Sequence, residues 1–366
     1  MSPHPQSPYA RLTEQHIFTP GPVKMGAATL ALGSAQTPYF RNAAFSHILL
    51  ECERGLLELA HAPEGSRVVF LTAAGTAAME AVVTNLLPPA EEVAVVNGGT
   101  FGQRFVDICR LHQRPTRELN VDRDPLSDGM ALSDATGASA LLINAHETSV
   151  GHRYDLRATG AWCRRHDALH IVDAISLFVT DPLDMTTDAI DALVISSHKG
   201  LALPPGLAMV LLSPRALAQV RPSGSYYLDF GMHLRDGERG QTPFTPAVSI
   251  VLQLHQRLQQ LQAGGIAAEW KRAEAVASHF RRGIVGLPLK PYATHMPNAM
   301  TALEVLGDLN AAQVVETLER DHACVVAPNG GALRDKVFRV SHMGACDIAD
   351  MDRLIGALHI ILGEQQ

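Results

Sequence analysis

Between residues 66 and 213 the chain alternates short, continuously apolar runs with longer segments whose apolar positions recur at helical spacing. Arg67-Val-Val-Phe-Leu71 predicts a strand, followed by a glycine turn and a helix over residues 76–87. Val93-Ala-Val-Val-Asn97, the Gly98-Gly99 turn and a helix over residues 101–112 repeat that unit. Further strands are predicted at Leu141-Leu-Ile-Asn144, Leu169-His-Ile-Val-Asp173, Leu193-Val-Ile195 and residues 207–212. Apolar strands without polar alternation are buried on both faces, which implies a mostly parallel sheet between layers of helices. Helical spacing returns over residues 244–261 and, after Gly264-Gly265, over 266–280. The tail alternates again. Strands are predicted at 300–305, Val325-Val326 and 337–340, with helices from Asn310 and Asp347 onward. The expected architecture is an α/β fold with three parts: an arm over residues 1–18, a large domain over 19–260 holding the mostly parallel central sheet, and a smaller C-terminal α+β domain over 261–366.

With 366 residues, 46% of them hydrophobic and 18% charged, the chain can fill one large and one small core. A net charge of −7 offers no basic footprint for nucleic acid. No apolar run reaches the ~18 residues of a membrane span, so no membrane partner is expected. Residues 1–15 show neither the basic start nor the apolar stretch of a signal peptide. Cysteines 52, 109, 163, 324 and 346 are scattered, with no C-x-x-C spacing. A reduced, cytoplasmic protein is expected. The 17 histidines form no H-E-x-x-H or Cys/His cluster, so no metal site is expected.

The chemistry gathers at strand ends. Asp173 closes one apolar strand, and Lys199 follows another through Ser196-Ser-His198. In an open α/β sheet both would stand at the carboxyl ends of neighbouring strands, where ligands bind. A lysine there can form an imine with an aldehyde, and an aspartate can hold a protonated pyridine nitrogen. Pyridoxal phosphate needs that pair from a protein. Each residue alone also has a plainer reading: Asp173 as a turn cap, Lys199 as a surface lysine. A lysine with a pKa near ~10.4 is a poor nucleophile until burial or neighbours lower it. Gly75 and Thr76 join a strand to a helix, whose free N–H groups suit a phosphate. That turn is neither a Walker loop nor a G-x-G-x-x-G fingerprint. Phe101 is either a core aromatic or a ring lying flat against a planar cofactor. His146-Glu147-Thr148-Ser149 places several polar groups directly after a buried strand, as a ligand-facing loop does. Arg339, amid strand apolars, is either a salt-bridged edge residue or a carboxylate clamp.

Taken together, these stretches resemble the class V aminotransferases of pyridoxal phosphate fold type I. The resemblance runs from about Phe18 to the end. Its motifs are Phe18-Thr-Pro-Gly-Pro22, Gly75-Thr-Ala-Ala-Met-Glu80, Asn97-Gly-Gly-Thr-Phe-Gly-Gln103, His146-Glu-Thr-Ser-Val-Gly151, Val172-Asp-Ala-Ile-Ser176, Ser196-Ser-His-Lys-Gly200, Gln241-Thr-Pro243 and Phe338-Arg-Val-Ser-His-Met-Gly344. The resemblance implies that Lys199 carries the cofactor covalently and shuttles the substrate proton, while Asp173 keeps the pyridine nitrogen protonated. It implies that Phe101 and Ile175 cover the two ring faces, that Thr148 contacts the ring hydroxyl, and that Gly75, Thr76 and His198 hold the phosphate. Gln241 and Thr242 would reach the phosphate of a neighbouring subunit, making a homodimer with shared sites. Arg339 would clamp the substrate carboxylate, with Gly21 beside it. The implied substrates are a small amino donor, of the 2-aminoethylphosphonate, alanine or serine type, and a keto acid such as pyruvate or glyoxylate. The sequence departs from the family where many relatives carry a His-Arg or comparable polar pair. Here that loop reads Thr37-Pro-Tyr-Phe-Arg-Asn-Ala-Ala-Phe45, which leaves Arg41 and Arg239 as candidates for a distal anion.

Two other functions are weighed. A lyase of the cysteine desulfurase type resembles this chain around His198-Lys199, but typically stacks a histidine where Phe101 stands and needs a mobile cysteine. Neither Cys324, in an apolar stretch, nor Cys346 fits that need. A catalytically silent scaffold would have no use for Lys199 and Asp173 together.

Overall fold

The computed structural model describes residues 14–121 and 130–363. Residues 1–13 of the expected arm lie outside the described residues. The strands β1 (Arg67–Leu71), β2 (Val93–Asn97), β3 (Thr116–Asn120), β4 (Ala140–Asn144), β5 (Leu169–Asp173), β6 (Ala192–Ser196) and β7 (Ala208–Leu212) form one sheet in the order β1-β7-β6-β5-β4-β2-β3. β7 runs antiparallel to both of its neighbours, and every other pairing is parallel. The mostly parallel α/β sheet is therefore as expected.

Strands β4 to β7 are buried along their whole length. Alternate residues feed two cores, as the pleat requires. Leu141, Ile143, Leu193 and Ile195 pack with the helices α1 (Ala43–Leu59) and Val248–Gly264. Leu142, Ala192 and Val194 pack on the other face with α2 (Gly75–Leu86) and α3 (Thr100–Leu111). Full burial of each such aliphatic side chain contributes about 1.5–3 kcal/mol, so the helices are held chiefly by these faces.

Several elements differ from the sequence reading, three of them in ways that packing and proline geometry explain. The helix α1 was not expected. It buries Leu49, Cys52 and Leu56 along one face, and Asn42 Oδ1 caps it by accepting the Phe45 N–H at 2.9 Å. The strand β3 is polar because it lies at the sheet edge, with a single neighbour and only Leu119 fully buried. The helix expected from residue 244 begins at Val248. Pro246 lacks an N–H and drives Thr245 toward extended backbone, so Pro243 and Pro246 keep that stretch out of the helix.

A second sheet is built from β8 (Leu289–Pro291), β9 (Met300–Val305), β10 (Ala327–Pro328) and β11 (Val337–Ser341), all antiparallel in the order β8-β9-β11-β10. Its core gathers Phe280, Val314, Leu318, Leu354 and Leu358 from the helices Ile266–Gly283, Ala311–His322 and Ile348–Gly363. Phe18 joins that core, and His16–Ile17 pairs in parallel with Cys324–Val325. In the β9–β11 ladder Ala302 stands opposite Arg339.

Candidate active site

A cavity opens at the carboxyl ends of β1, β4, β5 and β6, lined among others by Gly75, Thr76, Phe101, Thr148, Asp173 and Lys199. Asp173 is the last residue of β5, and Asn144, the last residue of β4, lies opposite it in register. That register lets Asn144 Nδ2 donate to Asp173 Oδ2 at 2.6 Å. The Ile175 N–H donates to Asp173 Oδ1 at 2.9 Å. Burial pushes the Asp173 carboxyl up to about 6, against the two hydrogen bonds and the charge of Lys199. Lys199 Nζ donates to Pro20 O at 2.5 Å. Burial brings the Lys199 ammonium down to about 8. Asp173 opposes that shift, and Arg339 and Arg104 add to it. Lys199 is thus far closer to a free amine at neutral pH than an exposed lysine.

Gly21 lies directly against that lysine. A Cβ there would stand 2.7 Å from Lys199 Cε and 2.8 Å from Nζ, and its φ of +145° disfavours any other residue. His198, next to the lysine in sequence and also lining the cavity, shares a hydrogen bond from Nδ1 with Ser196 Oγ at 3.0 Å. Burial, with the Lys199 charge, holds His198 down to about 4, so its ring is neutral.

The helix α2 starts at the cavity with no side-chain cap and no acidic residue in its first turn. Its first N–H groups are therefore left for a ligand, and the helix dipole favours an anion there. Arg104 adds a cation. Its Nη1 donates to Thr76 Oγ1 at 3.2 Å, and its guanidinium lies 4.7 Å from the centre of the Phe101 ring. The sequence reading did not single out Arg104.

Phe101 owes its position to Glu147, another residue without an expected role. The buried Glu147 carboxylate accepts from the N–H groups of Phe101 at 3.2 Å and Gly102 at 2.9 Å, at the start of α3. It also accepts from Ser149 Oγ at 2.5 Å. The chain can pass this close only at glycine, since a Cβ on Gly99 would meet Ser149 Oγ and Glu147 Cδ. Thr148, between Glu147 and Ser149, is buried and lines the cavity. Ile175 lines it as well, its Cδ1 filling the space a Cβ on Gly75 would need. The polar run after β4 signalled this loop. Asn144 carried the same signal as Asp173, a polar residue ending an apolar strand.

Arg339 projects from β11. Its Nη2 donates to Pro328 O at 2.8 Å, while its Nε is buried without a partner. Burial lowers its pKa, against the charge of Glu147. The remaining expected residues lie elsewhere. Arg41 Nη1 donates to Thr242 O at 2.8 Å and Gln241 Oε1 at 3.3 Å. Gln241 Nε2 in turn donates to Ser46 Oγ at 2.7 Å. Arg41, Gln241 and Thr242 thus form a cluster of their own that does not line the cavity. Arg239 is paired with Asp236 on the surface.

The donor set fits a flat, phosphorylated, aldehyde-bearing ring. It offers a part-neutral amine, a buried carboxylate, an apolar clamp of Phe101 and Ile175, and an uncapped helix end with a cation beside it. Among the described residues no three His, Cys, Asp or Glu side chains come together as a metal site.

Comparison with known proteins agrees in kind. The family model for aminotransferase class-V matches residues 34–354. The 2-aminoethylphosphonate–pyruvate transaminase of Salmonella paratyphi C is 30% identical over 325 residues, covering 85% of this chain and 88% of its own. The soluble hydrogenase 42 kDa subunit of Anabaena cylindrica is 29% identical over 360 residues, covering 95% and 93%. Among solved structures, an aspartate aminotransferase of subgroup IV from Thermus thermophilus superposes with a TM-score of 0.90 at 28% identity, covering 96% of this chain and 99% of that one.

Proposed function

The chain belongs to the class V aminotransferases, and from that premise we propose that it moves the amino group of a small donor to a small keto acid such as pyruvate or glyoxylate. It is a transaminase, with pyridoxal phosphate as its cofactor. When bound, that cofactor draws off the electron pair left at the substrate α-carbon.

The residues divide that work. Lys199 holds the cofactor, and its Nζ moves the proton from the substrate α-carbon; the lowered pKa supports both tasks. Ionised Asp173 keeps the ring nitrogen protonated, with Asn144 and the Ile175 N–H fixing the carboxylate. Phe101 and Ile175 cover the ring, and Thr148 meets its hydroxyl. Gly75, Thr76 and His198 take the phosphate, with Arg104 beside Thr76. Arg339 takes the substrate carboxylate, for which its unpartnered Nε speaks. Gly21 leaves room for Lys199 to swing between its partners. The single observation that carries this reading is the meeting of Lys199, Asp173 and an uncapped helix end in one cavity.

The donor is of the 2-aminoethylphosphonate, alanine or serine type. The Salmonella relative supports the first of these. The hydrogenase name is said of the Anabaena protein alone. We further propose a large domain over 19–260 and a small one over 261–366, supported by their separate cores. A homodimer is proposed too, since Gln241 and Thr242 do not line the cavity of their own chain. A cytoplasmic location fits the five free cysteines, and no described helix is long and apolar enough to cross a membrane. Nothing favours the lyase, because all five thiols are buried and none lines the cavity.

The test is a panel of amino donors and keto acids, read by the absorbance change of each half-reaction. One donor and one acceptor should each convert the cofactor fully. A panel that yields release of sulfur or ammonia without amino transfer contradicts the proposal.

A further inference from the structure

Asp181 lies outside every motif discussed above, yet it is almost fully buried at 1% exposure. Its carboxylate accepts from Arg153 Nη1 at 3.0 Å and from the Asn298 N–H at 3.0 and 3.3 Å. It also accepts from Thr180 Oγ1 at 3.3 Å, and His146 Nε2 stands 3.4 Å away. His146 lines the cofactor cavity. Asn298 leads into β9, which Arg281 grips from the other side through Thr301 Oγ1 at 2.9 Å and Met300 O at 3.2 Å. The charge of Arg281 also acts on Asp181. The carboxylate therefore joins the wall of the cavity to the first residues of β9.

The same loop touches the second sheet at three more points. The Arg153 N–H donates to His295 O at 2.8 Å, and Asn329 Nδ2 donates to Ser149 O at 2.7 Å. Gly151, at φ +72°, lies so close to β9 that a Cβ would stand 2.9 Å from Ala302 N. Ala302 is the ladder partner of Arg339. Residues 146–153 thus begin in the cavity and end against β9, the strand paired with the one that carries the guanidinium.

We propose that Asp181 is a positioning residue for Arg339, fixing how the second sheet docks and so where the guanidinium stands relative to Lys199. A buried carboxylate with several donors is a poor source of net stability, because desolvation offsets its contacts. It is a good source of a single geometry, because any other docking leaves those donors unpaired. The inference rests on the reading of Arg339 as the carboxylate clamp.

The test uses the full chain with Asp181→Asn, which keeps the shape and removes the charge, and Asp191→Asn as a buried carboxylate at the far end of the sheet. Three quantities are measured: amide hydrogen exchange in β9 and β11 of the cofactor-free protein, pyridoxal phosphate affinity, and KM and kcat for pyruvate. Asp181→Asn should speed exchange in both strands and raise KM about ten-fold, the scale of coupling between contacting residues, with cofactor affinity nearly unchanged. In an Arg339→Lys background the KM effect should vanish. Asp191→Asn should change neither exchange in β11 nor KM. Gly151→Ala disturbs the same docking without touching a charge, and should reproduce the KM effect if Asp181→Asn does not fold. Unaltered exchange in β11, or a KM effect that persists in full with Arg339→Lys, overturns the proposal. If Arg339→Lys alone leaves KM unchanged, the clamp reading fails separately.

Discussion

The two ends of the central sheet are built from similar residues and treat them in opposite ways. At the amino end, Asp191 is fully paired. It accepts from Arg215 Nη1 at 2.9 Å, the His170 N–H at 2.9 Å and Ser213 Oγ at 3.1 Å. His170 beside it is buried and satisfied on both nitrogens, by Thr159 Oγ1 at 3.1 Å and Asp188 O at 3.1 Å. At the carboxyl end, Asn144 Oδ1 and Arg339 Nε are buried without a hydrogen-bond partner. The helix Gly75–Leu86, which starts at the cavity, has no side-chain cap. Unpaired buried polar groups cost free energy unless something completes them. The amino end spends its polar groups on the fold, and the carboxyl end keeps its own for a ligand.

The sharpest way to break that contrast is Lys199→Ala. Turnover should fall by roughly 10⁴-fold or more, on the scale of losing a covalent group from an enzyme, while thermal stability holds. Single-turnover kinetics beside a melting curve checks both halves. The next effect belongs to Arg339→Lys, which cannot copy the guanidinium fork. The apparent KM for pyruvate or glyoxylate should rise roughly thirty-fold or more, within the ~2–5 kcal/mol of a truncated charge pair, with normal cofactor absorbance. Unchanged kinetics in both half-reactions would leave Arg339 an edge-strand residue.

The amino end should respond in the reverse sense. Asp191→Ala leaves the His170 N–H and the Ser213 hydroxyl without their acceptor, which should cost about 1–3 kcal/mol of stability. Denaturant midpoints should move and kcat/KM should not. A catalytic defect in correctly folded Asp191→Ala would dissolve the distinction between the two ends.

The smallest effect is one of pH. In the proposed function the ionised form of Asp173 holds the ring nitrogen, and burial places its pKa at about 6. As the pH falls through that value the carboxylate is lost, so its share of the pyridoxal phosphate affinity should drop roughly ten-fold between pH 7 and 5, beyond the loss from protonating Lys199. The charges facing it are Lys199, which favours ionisation, and Glu147, which opposes it. Asn144→Ala removes a bond to the ionised form and should start the drop at higher pH. Titrations that superpose for the two proteins would remove Asn144 from this role.

How much of this was legible in the sequence follows from the range of the interactions. Strands β4 to β7 were legible because burial on both faces demands unbroken apolar runs. Asp173 and Lys199 drew notice only as a pair following neighbouring apolar runs, since each alone reads as readily as a turn cap or a surface lysine. The edge strand β3 hid behind Arg117 and Glu118, since one open side tolerates polar residues. The use of Glu147 was hidden because its partners, Phe101 and Gly102, lie about 45 residues earlier in the chain. Asp181 was hidden for the same reason, with Asn298 117 residues further along the chain, in the turn that leads into β9. Local pattern shows which residues are out of place, and only the fold shows what they meet.

The central claim is that the carboxyl end of the sheet binds pyridoxal phosphate through Lys199, and borohydride reduction with peptide mapping tests it most directly. The chain has five lysines, and Lys24, Lys271, Lys290 and Lys336 are all exposed. The reduced adduct should fall on Lys199 alone, in an otherwise unmodified protein. An adduct on any of the other four, or a holoenzyme whose cofactor is not fixed by reduction, contradicts the account.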